Sequence, residues 1–200
     1  MVRTEYRLRV DDPDWRGVDE NCGQETAIVV AELVKVDPDR LRTNLMARAS
    51  AHVGTPAPDF RLSDGDGQEW QLSQQLGKTV VLLFYPGDET PICTRQMCSL
   101  RNRWTDYLAT GAEIVGISTD SPDSHKKFST HHGLPLRLLS DTGRKVADMY
   151  GARSLIPGKV ARSVFVIDKQ GIIRHRDIRP LGLFRPKDDE VIEAIREAGK

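Results

Sequence analysis

Two hundred residues with 29 Lys and Arg set against 29 Asp and Glu carry no net formal charge, and 38% of them are hydrophobic. That is the composition of an ordinary globular chain, one domain or one domain with an extension, and it supplies no bulk field to draw nucleic acid or an anionic membrane. No apolar run reaches the roughly 18 residues of a membrane span, and the opening MVRTEYRLRVDDPDW has acids early and no apolar signal core, so the expected compartment is the cytoplasm.

The chain divides near residue 52. Before it, TAIVVAELVKV fits strand or helix equally by periodicity, and PDRLRTNLMARA reads as a short helix capped by Asp37. After it the pattern is clearer. Residues 54–77 read as a hairpin around the Asp-Gly signals at 64–67, and Val80–Tyr85 is a continuous apolar run that fits a strand buried on both faces. Met97, Leu100, Trp104 and Leu108 recur at helical spacing up to Gly111 and predict one helix there. AEIVGIST is a second buried strand. A helix capped by Ser121 or Asp123 should run to Gly133, followed by a short strand in LPLRLLSD and a helix in GRKVADMYG. SVFVIDKQGIIRHRDI reads as a hairpin turning at Gln170-Gly171. PKDDEVIEAIREAG is a terminal helix whose early acids suit the positive end of its dipole. The expected fold class is α/β: a thioredoxin-like fold with a mixed central sheet flanked by helices, over residues 53–200, plus an N-terminal extension over residues 1–52.

Chemistry concentrates in FYPGDETPICTRQMCSLRN, residues 84–102. Cys93 falls in the first turn of the helix that follows a buried strand. Free backbone N–H groups and the helix dipole favour negative charge there, and open α/β sheets place their ligands at strand ends of this kind. A cysteine in such a setting is available as the reactive thiolate at neutral pH. Pro86 and Pro91 restrict the intervening loop. Thr90 is placed to cap the helix, its hydroxyl accepting from a backbone N–H and donating to the sulfur or to a bound oxygen.

The spacing of Cys93 and Cys98 is too wide for a CxxC pair. In an intact helix, residues five apart have Cα atoms about 8.7 Å apart, whereas a disulfide needs about 4.4–6.8 Å. Either the two never bond and Cys98 is a small packed hydrophobe, or the first turn or two of the helix must open.

These residues resemble the active-site signature of the peroxiredoxins, P-x-x-x-T/S-x-x-C, matched by Pro86, Thr90 and Cys93. The second cysteine five residues on is similar to the Q-type branch, also called bacterioferritin comigratory protein. The likeness runs from residue 53 to about 197, through EIVGISTDSPDSHKKF, LLSDTGRKVADMYG and ARSVFVIDKQGIIRH. It implies a thiol-dependent peroxidase acting on hydrogen peroxide and organic hydroperoxides without metal, haem or flavin. Cys93 would be the peroxidatic cysteine, Thr90 would orient the peroxide, Arg162 would stabilise the thiolate and the leaving oxygen, and Pro86 would shield the sulfur. Cys98 would resolve the sulfenic acid as an intramolecular disulfide that a thioredoxin-like partner reduces, in a monomer or homodimer. The sequence departs from the pattern at Ile92 (usually Gly), Gln96 (usually Glu) and Val164 (usually Thr). Gln96 keeps an acceptor but gives up an ion pair.

Three rivals share this fold class. A general thiol–disulfide oxidoreductase would carry CxxC, which is absent. A copper-binding assembly factor would need a histidine near closely spaced cysteines, for which His175 is a weak candidate. A chaperone or interaction protein would use Cys93 only for packing. Elsewhere, Cys22 reads as an exposed thiol, His131 and His132 as cations at a helix end, His175 as a surface residue, and Trp70 and Trp104 as core. Asp64, Asp66 and Glu69 lack a calcium-loop ligand order.

Overall fold

The computed structural model describes residues 51–156, 158–181 and 185–200. Cys22 and the readings made for residues 1–50 lie outside them.

Among the described residues, seven strands form one mixed sheet: β1 (Arg61–Asp64), β2 (Glu69–Gln71), β3 (Val80–Phe84), β4 (Glu113–Ser118), β5 (Arg137–Ser140), β6 (Arg162–Ile167) and β7 (Ile173–Arg179). Their order across the sheet is β2-β1-β5-β4-β3-β6-β7. The β3/β4 and β4/β5 pairs are parallel; β3/β6, β6/β7, β1/β2 and β1/β5 are antiparallel. The helices are α1 (Pro91–Asn102), α2 (Trp104–Leu108), α3 (Pro122–His132), α4 (Lys145–Met149) and α5 (Asp188–Ala198). This is the thioredoxin-like arrangement expected.

Alternation along the central strands sorts the core onto the two faces of the sheet. Val81, Leu83 and Tyr85 share one cluster with Val164 and Val166, and are covered by Cys93, Met97 and Leu100 of α1, Phe128 of α3 and Val191, Ile192 and Ile195 of α5. Val80, Leu82 and Phe84 point the other way with Phe165 and Ile167, under Phe60, Trp70 and Val146 and Ala147 of α4. Every residue of β3 is buried, which explains its unbroken apolar run.

The turn chemistry follows the residues. Asp64 accepts from the N–H groups of Asp66 and Gln68 across the first hairpin, and Gly67 takes the positive φ the turn requires. Ser121 caps α3 by accepting from the Ser124 N–H, and Gly133 ends it in the left-handed conformation.

Three expectations need correction. The helix predicted up to Gly111 is two helices: Arg103 leaves helical geometry at φ −108° and ψ 18°, which turns the second piece so that Tyr107 is buried and Leu108 is exposed. Trp104 is half-buried rather than core, and His175 is half-buried on the face of β7 opposite the exposed Arg174 and Arg176.

Gly116, in the middle of β4, is required by space. A Cβ there would lie 2.7 Å from Leu138 Cδ2 and 3.3 Å from Tyr85 Cε1, both in the core. Gly116→Ala should therefore lower stability by about 1–3 kcal/mol, read from the urea unfolding midpoint; an unchanged midpoint would mean that this face of the sheet yields.

Candidate active site

β6 runs antiparallel to β3, with Phe84 opposite Ser163, so β6 begins beside the point where β3 ends and the chain leaves for α1. Arg162 is the first residue of β6. It has the same parity as Val164 and Val166 and therefore points to the face that α1 covers. Cys93 is the third residue of α1 and is inaccessible to solvent. The two meet: Arg162 Nη2 donates to Cys93 Sγ at 3.3 Å, and Arg162 Nη1 donates to Gln96 Oε1. Arg162 is itself only 1% exposed. A guanidinium taken that far out of water needs acceptors. Gln96, one turn after Cys93, supplies one in place of the family's usual glutamate.

The buried stripe of α1 is Cys93, Gln96, Met97 and Leu100, the i, i+3, i+4, i+7 face of a helix. Cys98 lies off this stripe and is half-buried, and both thiols are free. The helix is continuous through both cysteines, so the spacing argument against a disulfide in this conformation holds.

Thr90 is the N-cap residue, and its carbonyl accepts from the Thr94 N–H at 2.8 Å. Its hydroxyl does not cap the helix or donate to the sulfur, as was expected of it. It donates instead to the Gly87 carbonyl, three residues back in the loop, at 3.1 Å. The oxygen's lone pairs remain as acceptors. Pro86 is half-buried in the same loop, two residues after β3. Ile92 is half-buried, and Val164 is fully buried and packs in the cluster that contains Cys93.

Sequence reasoning missed what holds the loop. The Asp88 side chain, 4% exposed, accepts from the Tyr85 hydroxyl at 2.7 Å, the Ser124 hydroxyl at 2.7 Å and His125 Nδ1 at 2.9 Å. His125 Nε2 lies 3.1 Å from the Leu139 carbonyl, so both ring nitrogens of this buried side chain have oxygen partners. The Asp88 N–H donates to Asp120 Oδ2 at 2.8 Å. Burial pushes the Asp88 carboxyl up, but the hydrogen bonds from His125, Ser124 and Tyr85 outweigh it and hold the group below the usual carboxylate range. Burial, and then the Asp88 charge, push the Tyr85 hydroxyl well up, which keeps it a donor. Tyr85 is three residues from Asp88, but Asp120, Ser124 and His125 sit 32 to 37 residues away and leave no local pattern in the sequence.

A family model described as AhpC/TSA matches residues 53–176. The chain belongs to the AhpC/TSA family. Within it, the chain is 44% identical over 127 residues to the chloroplastic peroxiredoxin Q of Sedum lineare, covering 63% of this chain and 68% of that protein. It is 42% identical over 127 residues to the chloroplastic peroxiredoxin Q of Populus jackii, covering 63% of this chain and 60% of that one. The crystal structure of peroxidoxin BcpB from Mycobacterium tuberculosis superposes with a TM-score of 0.67 at 30% identity, over 75% of this chain and 99% of that one. The chain thus spans 60% and 57% of the length of the Populus jackii and Triticum aestivum relatives. With the two-cysteine helix, these likenesses put it in the peroxiredoxin Q branch of the AhpC/TSA family.

Asp88 links the loop to pH. Its carboxyl is held below its unfolded value, so its contribution to stability is complete at neutral pH and is lost as pH falls through and below about 4. Asp88→Asn should cost about 3 kcal/mol at pH 7, and the gap to wild type should narrow on acidification, followed by thermal denaturation from pH 7 to pH 3. A gap of constant size would show that Asp88 is not ionised in the folded chain.

Proposed function

We propose that the chain is a thiol-dependent peroxidase that reduces hydrogen peroxide and small organic hydroperoxides through Cys93. The observation that carries this reading is the contact of a buried arginine with a buried sulfur in the first turn of a helix. The guanidinium and the N–H groups of that turn present positive charge to the sulfur, the setting in which a cysteine works as a nucleophile.

The thiolate attacks one peroxide oxygen. The S–O bond forms as the O–O bond breaks; the sulfur is oxidised to the sulfenic acid, and the other oxygen leaves as water or an alcohol after taking up a proton. Arg162 lies where it can stabilise charge moving onto the leaving oxygen. Thr90 offers its remaining lone pairs to a peroxide O–H, and Pro86 limits water at the sulfur. Cys98 is the resolving cysteine. Its sulfur attacks the sulfenic sulfur, expels water and leaves a Cys93–Cys98 disulfide, which a thioredoxin-like dithiol reduces by exchange. For the two to meet, the first turn of α1 must open. That turn commits little apolar surface, since Met97 and Leu100, the large side chains α1 buries, lie beyond it.

The activity belongs to residues 53–200, with residues 1–52 as an extension outside it, in a monomer or homodimer. No resident cofactor is required. The equal numbers of acidic and basic residues favour neither a nucleic acid nor a membrane partner. A reducing compartment, the cytoplasm, suits three cysteines that work as thiols.

Mixing with hydrogen peroxide should give a fast change in tryptophan fluorescence that Cys93→Ser abolishes. Arg162→Gln should slow that phase by about 10²–10³-fold. If Cys93→Ser keeps the fast phase, the sulfur is not the reacting group. Mass spectrometry of the oxidised protein should find Cys93 joined to Cys98; a bridge to Cys22 or between chains would move the resolving role.

A further inference from the structure

The loop that leads to Cys93 has a second tether, on its solvent side. Glu89 stands next to Thr90 and holds a positive φ of 53°, uncommon for a residue with a side chain. It faces the last turn of α3, where one carboxylate oxygen lies 3.0 Å from His131 Nδ1 and the other 3.0 Å from His132 Nε2. The two rings are in contact, with centroids 4.3 Å apart and planes tilted by 31°, and His132 packs edge-on against Phe128. The three ligand atoms all fall within 4.8 Å of one another.

We propose that Glu89, His131 and His132 bind a divalent transition-metal ion of the zinc class and thereby clamp the loop to α3. The donor set is one carboxylate and two imidazoles. That chemistry suits zinc, cobalt or nickel and disfavours magnesium and calcium, which take oxygen ligands. The spacing fits as well. Bonds of about 2.0–2.1 Å in a tetrahedral site put ligand atoms about 3.3 Å apart; each histidine nitrogen lies 3.0 Å from its own Glu89 oxygen, and the three ligand atoms already fall within 4.8 Å of one another, so modest side-chain adjustment brings them round one ion. Glu89 and His131 are more than half exposed, which leaves a route of entry and room for water in the remaining position. A helix-end role for the histidines calls for cations near the last carbonyls. It does not call for two ring nitrogens of different kinds converging on one carboxylate.

The consequence follows from sequence distance. Glu89 is four residues before Cys93, so an ion there fixes the point from which the first turn of α1 would open. Metal binding would then hold back the opening that brings Cys98 to Cys93, a consequence that rests on the peroxidase reading above. The site itself does not.

The test uses the full chain with Cys22, Cys93 and Cys98 all replaced by Ser, so that thiols cannot supply ligands and peroxidase chemistry cannot enter. Calorimetric titration with Zn²⁺ should show one saturable ion per chain. Excess Mg²⁺ should not displace it. His131→Ala and, separately, His132→Gln should each weaken binding at least about tenfold. Amide hydrogen exchange over residues 87–94 should slow when Zn²⁺ is added and should not respond in His131→Ala. Absence of saturable binding in the cysteine-free chain, or affinity unchanged by both histidine substitutions, would overturn the proposal.

Discussion

One contact organises this molecule: a guanidinium that has left water in order to touch a sulfur. Arg162 can be placed so deeply because the start of β6 and the end of β3 coincide in an antiparallel pair, and because its nitrogens find Cys93 Sγ and Gln96 Oε1. Each side of the contact makes a demand on the fold. The arginine requires acceptors inside the protein, and the sulfur requires a helix that begins at that spot. β3, the loop after it and α1 together meet both demands.

The proposed mechanism also requires the site to come apart. In an intact helix the Cys93 sulfur cannot reach a thiol five residues away. The structure divides α1 to suit. Its later part is anchored by Met97 and Leu100 and by Ser99, whose hydroxyl donates to Asp188 at the start of α5 at 2.6 Å. Its first turn has fewer apolar ties, and the loop ahead of it is held by polar contacts of Asp88 and Glu89 to α3. Polar tethers of that kind respond to protons and ions. Apolar packing does not, so under the proposed mechanism control over the opening step would fall to the loop.

Much of this was legible in the sequence. The buried strands announced themselves as apolar runs, the hairpins by Asp-Gly and Gln-Gly turns, and Cys93, Thr90 and Arg162 by their motifs. What stayed hidden had no local signal. The break at Arg103 interrupts a periodicity that looked continuous, because Trp104 fits the helical spacing on either side of it. The Thr90 hydroxyl was assigned by its cap position, yet a carbonyl three residues back competes for it. The partnership of Asp88 with Ser124 and His125 joins residues more than thirty positions apart, and neither periodicity nor turn chemistry reports such contacts. Glu89 and the two histidines were separated in the sequence in the same way.

The most direct test of the central contact is the rate at which Cys93 is alkylated by iodoacetamide at pH 6, in the background Cys22→Ser/Cys98→Ser, with and without Arg162→Gln. Rapid alkylation that the arginine substitution slows at least tenfold is the predicted result. Equal rates in the two proteins would contradict it, and would mean that the buried guanidinium does not set the state of the sulfur it touches.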